Sequence, residues 1–236
     1  MNRPAAWRAA CGAACTAALA LMGPAACTGS LFQSKVAPPT VYMLSAGGGQ
    51  AASAAAADEV PVDPAMTPTQ IPVDLAILKP RLRPGLETDR IATLYPDRHL
   101  DYYADARWSG PLSEVLQDLA VQEFHSHAHL RTVTGDASVF GSAYWLEIDV
   151  SDFQAEYTSA AGAPTVHVRF LARLGRSGDR NIVGQFTASA QQPAAENRLT
   201  AIVDAYAHAA DAALDEIVAQ VADTLAKSGA ASTLAH

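Results

Sequence analysis

The chain has 236 residues, half of them hydrophobic, which is enough for one well-packed domain with tails. Its 16 basic residues against 24 acidic ones give a formal net charge of -8, and no basic run marks a nucleic-acid surface. All three cysteines lie within the first 27 residues, so the rest of the chain holds neither a disulfide nor a cysteine-ligated zinc site. Nucleic acid is therefore not expected as a partner, and thiol chemistry is not expected in the globular part.

The N-terminus has the pattern of an export signal. Two arginines within the first eight residues precede an uncharged, Ala-rich run that ends at Ala26. A basic start, a short apolar run and small residues before a break are typical of a secretory signal peptide, so we predict that residues 1–26 are removed. A retained membrane helix is the alternative, although Gly12 and Pro24 weaken a spanning helix.

Cys27 is the predicted lipid anchor. The run Gly23-Pro24-Ala25-Ala26-Cys27 resembles a bacterial lipobox, although Pro24 stands where an aliphatic residue is usual. Several acyl chains anchor stably, at about 0.8 kcal/mol per buried methylene group. Residues 27–40 would then form a lipidated N-terminal tether. Ordinary signal cleavage that leaves Cys27 as a free thiol is the alternative.

Residues 41–227 are predicted to form one domain, with a disordered Ala/Gly/Pro-rich insertion over residues 45–70. Four short apolar stretches bounded by turn residues predict strands: Val41–Leu44, Val73–Leu78, Arg90–Tyr95 and Leu100–Tyr103. The last two flank Pro96-Asp97-Arg98, which is typical of a hairpin turn.

Two helices are predicted from apolar residues at helical spacing. The first begins at Gly110-Pro111, and its apolar face consists of Leu112, Val115, Leu116, Leu119, Ala120 and Phe124. The second begins at Leu199 and is predicted to end near Lys227-Ser228-Gly229, because a basic last turn and a glycine favour a helix end. Residues 228–236 would then be a flexible tail.

Three consecutive antiparallel strands are predicted between the helices, from alternating apolar residues at 144–153, 166–174 and 182–190. Phe153 breaks the alternation, which indicates a β-bulge. The predicted fold class is therefore α+β: an antiparallel sheet with two amphipathic helices packed on one face.

The aromatic residues Tyr102, Tyr103 and Trp108 are the candidate partner-binding residues, because aromatic side chains with a polar group suit interfaces. The alternative is that they pack under the first helix. Adjacent Tyr102 and Tyr103 must face opposite sides of a strand, so at least one of them should lie away from the core.

Two polar clusters have simpler explanations than a ligand site. His125, His127 and His129 are interpreted as histidines at a helix C-terminus and not as a metal site. Arg169 and Arg173 are interpreted as cross-strand partners of acidic residues 147 and 149, in preference to an anion site. No metal or cofactor is predicted.

Catalytic motifs are absent from the sequence. It contains no G-x-S-x-G, no H-E-x-x-H and no phosphate-binding G-x-x-x-x-G-K-[ST]. A pair of carboxylates that acts in hydrolysis is not excluded by spacing alone. Energy for any transport step would have to come from another subunit.

The order of these features resembles the ABC-type transport auxiliary lipoprotein component family. The fragments that match best are Asp89-Arg90-Ile91 and Leu100-Asp101-Tyr102-Tyr103-Ala104-Asp105-Ala106-Arg107-Trp108, followed by Pro111-Leu112. The resemblance covers roughly residues 40–227 without the insertion.

The resemblance implies a non-enzymatic envelope lipoprotein that accompanies an MCE-domain protein, an ABC permease and an ATPase, in transport of phospholipid or sterol-like lipid. The lipid would hold it facing the periplasm, and Thr28 after Cys27 favours the outer membrane, with the inner membrane as the alternative. A domain that itself carries lipid, and an envelope hydrolase, are the rival hypotheses.

Overall fold

The computed structural model describes residues 38–47, 70–135, 141–159 and 162–233, with side chains as far as residue 228. The predicted signal peptide, Cys27 and most of its tether lie outside the described residues. So does most of the predicted insertion, namely residues 48–69.

Nine strands and two helices make up the described part of the chain. They are β1 (Thr40–Tyr42), β2 (Ile71–Ile77), β3 (Arg81–Leu82), β4 (Arg90–Leu94), β5 (Leu100–Trp108), α1 (Leu112–His127), β6 (Leu130–Thr134), β7 (Tyr144–Glu156), β8 (Thr165–Arg176), β9 (Ile182–Pro193) and α2 (Leu199–Thr233). All of the predicted elements are present. Strands β3 and β6 were not predicted, because β3 has two residues and β6 follows α1 with no turn motif recognised between them.

The long strand β7 organises the sheet. Along one edge it pairs with β8 in antiparallel fashion, and β8 pairs in the same way with β9. Its other edge is shared by three shorter strands, β2, β3 and β4, each of them parallel to β7. Beyond these, β6 pairs with β2, β5 pairs with β4, and β1 pairs with β5.

The α+β class is confirmed, with both helices packed against the sheet and against each other. The three consecutive antiparallel strands are confirmed as well, but the sheet as a whole is mixed and the prediction of an antiparallel sheet was wrong in this respect. Alternation of apolar residues shows which side chains are buried but not the direction of the neighbouring strand.

The predicted bulge lies in β7. Its pairing with β8 slips between Val150 and Asp152, so the side chain of Phe153 returns to the core, where it is 1% exposed. One extra residue in a strand shifts the alternation by one position. This shift explains why the strand keeps a buried face along its whole length.

Helix α1 buries the six apolar residues predicted for it and ends at His127, as expected for its basic last turn. Helix α2 continues through Gly229 to Thr233, so the predicted helix end near residue 229 was wrong. A glycine costs a helix only about 1 kcal/mol relative to alanine, and two alanines follow it. Among the described residues, no helix combines the length and apolar character needed to cross a membrane.

Gly175 of β8 lies directly opposite Trp145 of β7, whose indole covers it. A Cβ atom at residue 175 would lie 2.1 Å from the indole ring, which no real contact allows. We expect Gly175→Ala to displace the indole and to lower the free energy of unfolding by about 1–3 kcal/mol. Urea denaturation followed by tryptophan fluorescence measures this loss.

The matched control is Gly178→Ala in the next turn, where nothing lies within 4 Å of the added Cβ. This variant should change stability by no more than about 0.5 kcal/mol. Equal stability of the two variants would contradict the close contact.

Candidate functional site

Trp108 belongs to the core. It ends β5, is only 2% exposed, and meets Phe153 and Tyr206 edge-on at ring-centroid distances of 6.1 and 5.3 Å. Tyr206 comes from α2 and donates its hydroxyl hydrogen to the carbonyl of Ala92 at 2.5 Å. The cluster of Trp108, Phe153 and Tyr206 therefore joins α2 to the sheet. A direct contact between Trp108 and a partner, as the sequence analysis allowed, is incompatible with this burial.

Tyr102 is half-buried and lies towards the loop after β3. Its hydroxyl donates to the carbonyl oxygen of Gly85 at 2.7 Å, and the guanidinium of Arg90 lies 4.2 Å from the ring centroid. A cation over an aromatic face contributes about 0.5–1 kcal/mol at an exposed site. Gly85 has φ +92°, a conformation that glycine adopts without strain. The tyrosine is therefore held in one orientation.

Tyr103 is also half-buried but has different partners. Its hydroxyl shares a hydrogen bond of 3.0 Å with the hydroxyl of Tyr157, which donates to Asn197 at 2.8 Å. The ring of Tyr157 in turn stacks on Tyr95 at 5.4 Å. Burial raises the pKa of Tyr103, and the hydrogen bond to Tyr157 raises it further, so the phenol stays neutral.

Strand β1 forms an apolar edge beside β5. It pairs with β5 through Thr40, Val41 and Tyr42, and no other described strand pairs with it. The side chains of Val41 and Met43 are 59% and 75% exposed. An unpaired strand edge with exposed apolar side chains is a template for association. We call Val41, Tyr42 and Met43 the β1 edge.

The side chains of β7 and β8 that alternate with the buried ones form a network of paired charges. Arg81 contacts Glu147 at 2.6 Å and Asp149 at 3.0 Å, and Arg173 contacts the same two carboxylates. The predicted cross-strand pairing is thus confirmed for Arg173. Arg169 pairs instead with Asp152, because the bulge in β7 shifts the register there. Paired and partly exposed charges of this kind are typical of a sheet face that is in contact with solvent.

A cleft of 410 Å³ lies beside the indole of Trp145, lined by Ala76, Leu78, Ser142 and Glu147 among others. Its lining residues come from β2, from β7 and from the loops beside them. The aromatic cluster described above packs α2 against the sheet at a different place.

The three predicted helix-end histidines do not form a cluster of their own. All three histidines are exposed. Among the described residues, only His127 of the three is known to lie near acids, namely Glu123 and Asp215. The sequence analysis overlooked Glu123, which precedes His127 by four residues and therefore shares its helix face. Asp215 lies 88 positions further along the chain, and only the packing of α1 against α2 brings it near.

These features define an α+β domain with two helices packed against a mixed sheet and an apolar edge strand. A family model described as ABC-type transport auxiliary lipoprotein component matches residues 57–222. The chain therefore belongs to this family, and the resemblance found in the sequence is confirmed. Membership in a lipoprotein family assigns the protein to the cell envelope, and neither the family nor the similar structures are described as enzymes.

Solved structures agree on the fold. A Xanthomonas campestris protein has 23% identity and a TM-score of 0.63, with 80% of this chain and 98% of that chain covered. An uncharacterized protein has 15% identity and a TM-score of 0.51, covering 66% and 95%. At these identities the likeness concerns the fold alone. No curated protein matches the chain significantly.

Proposed function

We propose that this protein is a lipid-anchored, non-enzymatic accessory component of an MCE-associated ABC-type lipid transport system. The observation that carries the proposal is the family match over residues 57–222. Acylated Cys27 would hold the protein in the envelope, facing the periplasm. The outer membrane is the proposed location, because Thr28 and not aspartate follows Cys27.

The length of the proposed tether limits how far the domain can lie from the anchor. Twelve residues, or thirteen Cα–Cα steps, separate Cys27 from Thr40, the first residue of β1. A fully extended chain of that length spans at most about 45 Å. The start of β1 would therefore stay within that distance of the membrane surface.

The β1 edge, with Tyr102 and Tyr103 on the neighbouring strand β5, is the proposed docking surface for the MCE-domain protein of the same system. An edge strand binds a partner by adding a strand to the sheet, and exposed apolar side chains add affinity. Val41 and Met43 are two of the three large apolar side chains found exposed among the described residues. The third, Ile182, lies at the start of β9 and provides a control.

Co-purification from detergent tests this proposal. We expect the wild-type protein to recover the MCE-domain protein, the permease and the ATPase, identified by mass spectrometry. The double variant Val41→Asp/Met43→Asp should lose at least tenfold of this recovery, because two charges would have to be desolvated at the interface. The control Ile182→Asp adds a charge at an equally exposed position and should recover the partners as the wild type does. Equal loss in both variants, or no partner with the wild type, would contradict the proposal.

Lipid carriage is the second candidate, and the cleft beside Trp145 is the observation in its favour. Its 410 Å³ lies within the range of small-molecule sites, about 300–1,000 Å³. A phospholipid or sterol-like lipid would place part of its apolar surface in this cleft, beside the indole of Trp145. Lipid extraction of the purified protein followed by mass spectrometry distinguishes the two: stoichiometric lipid favours carriage, and its absence favours docking.

A further inference from the structure

The C-terminal turn of α1 and the middle of α2 bring three metal-ligating side chains together. The Nδ1 atom of His127 lies 2.9 Å from Oε2 of Glu123 and 3.8 Å from Oδ1 of Asp215. One atom of each of these three side chains lies within 4.8 Å of the other two. We call Glu123, His127 and Asp215 the interhelical triad.

Glu123 is the unusual member of the triad. Its side chain is only 1% exposed, and its Oε1 atom has no hydrogen-bond partner among the described residues. A buried carboxylate with an unpaired oxygen costs free energy unless a positive charge satisfies it. Among the described residues, neither Glu123 nor Asp215 forms an ion pair with a lysine or an arginine.

A divalent cation would supply that charge. Two carboxylates and one neutral imidazole carry a formal charge of -2, which a divalent ion neutralises. His127 also lies in the last turn of α1, where the helix dipole favours positive charge. Imidazole and carboxylate ligands together suit Zn²⁺ and its neighbours in the first transition series.

Two distances within the triad are close to those of tetrahedral coordination. Zinc–ligand bonds of about 2.0–2.1 Å place the ligand atoms of a tetrahedral site about 3.3 Å apart. The two distances of 2.9 and 3.8 Å lie on either side of this value. His127 and Asp215 are 56% and 59% exposed, so both side chains are free to adjust by a few tenths of an ångström. Solvent would occupy the fourth position.

We propose that Glu123, His127 and Asp215 form a binding site for one divalent transition-metal ion, with Zn²⁺ as its representative, that crosslinks α1 to α2. His127 would bind the metal through Nδ1 as the neutral tautomer with its proton on Nε2, and any proton displaced from Nδ1 would pass to solvent. The site uses no thiol, so oxidation does not abolish it. This inference is independent of the proposed transport role.

Zinc titration of the full-length chain tests the site. The chain would be purified in detergent without a histidine tag and treated with iodoacetamide, so that any free thiol does not contribute. Isothermal titration calorimetry should show one Zn²⁺ bound per chain. At free Zn²⁺ one hundred times the dissociation constant, the midpoint of thermal unfolding should rise by about 5–10 °C. A chelator should reverse the rise.

Three variants decide whether the triad is the site. His127→Ala should weaken Zn²⁺ binding at least 100-fold, and Asp215→Asn should weaken it at least tenfold. Both residues are exposed, so the variants should fold, which circular dichroism verifies. His125→Ala, two residues earlier on the same helix, is the matched control and should bind as the parent does. Absence of saturable binding, or binding that His127→Ala leaves unchanged, would show that the triad is an ion pair only.

Discussion

Replacing Cys27 with alanine is expected to move the protein from the membrane fraction to the soluble periplasmic fraction and to abolish fatty-acid labelling. The reason is that the predicted anchor is purely a lipid. A chain with a net charge of -8 does not attract anionic headgroups by itself. Each buried methylene group of an acyl chain contributes about 0.8 kcal/mol, so loss of the chains removes the attachment almost completely. Metabolic labelling with a clickable fatty acid and cell fractionation measure both effects.

The chain offers its own controls for this experiment. Cys11 and Cys15 also follow two alanines, but little apolar sequence precedes them. Cys11→Ala and Cys15→Ala should therefore keep both the label and the membrane fraction. Mass spectrometry of the mature protein should find an acylated Cys27 as its first residue. A mature chain that begins elsewhere and carries no fatty acid would refute the anchor.

Trp108→Ala is expected to cause the largest loss of stability, about 3–5 kcal/mol of the free energy of unfolding. The indole is 2% exposed and fills the junction of β5, β7 and α2 against Phe153 and Tyr206. Truncation leaves a cavity. The neighbouring aromatic side chains could fill it only by adopting unfavourable side-chain conformations. Tyr206 would also lose a packing partner, which puts its hydrogen bond to Ala92 at risk. Chemical denaturation of the purified domain measures the loss.

Trp145→Ala is the matched control, since it makes the same substitution at a half-buried position on β7. Its loss should be clearly smaller, because less apolar area leaves the protein interior. If partner recovery falls for Trp108→Ala only in proportion to the unfolded fraction, the tryptophan acts through the core. A fully folded Trp108→Ala variant that fails to bind partners would contradict the assignment of Trp108 to the core.

The aromatic stretch in β5 shows how far sequence reasoning reaches. The sequence predicted a strand at Tyr102 and Tyr103 and required the two rings to point apart, and the structure gives their hydroxyls different partners. The sequence did not distinguish a core position from an interface position for Trp108. An indole is equally suited to both, and the choice depends on Tyr206, which lies 98 residues further along the chain.

Local pattern determined the two helices, the three long strands, the bulge at Phe153 and the family. These features depend on neighbouring residues only, through alternation, helical spacing and turn chemistry. The tertiary structure alone decided the parallel pairing of β2, β3 and β4 with β7, and the meeting of Glu123 and His127 with Asp215. Both arise from contacts between segments far apart in the chain. These contacts form only when whole helices and strands pack together, and the residues of one short segment do not determine that packing.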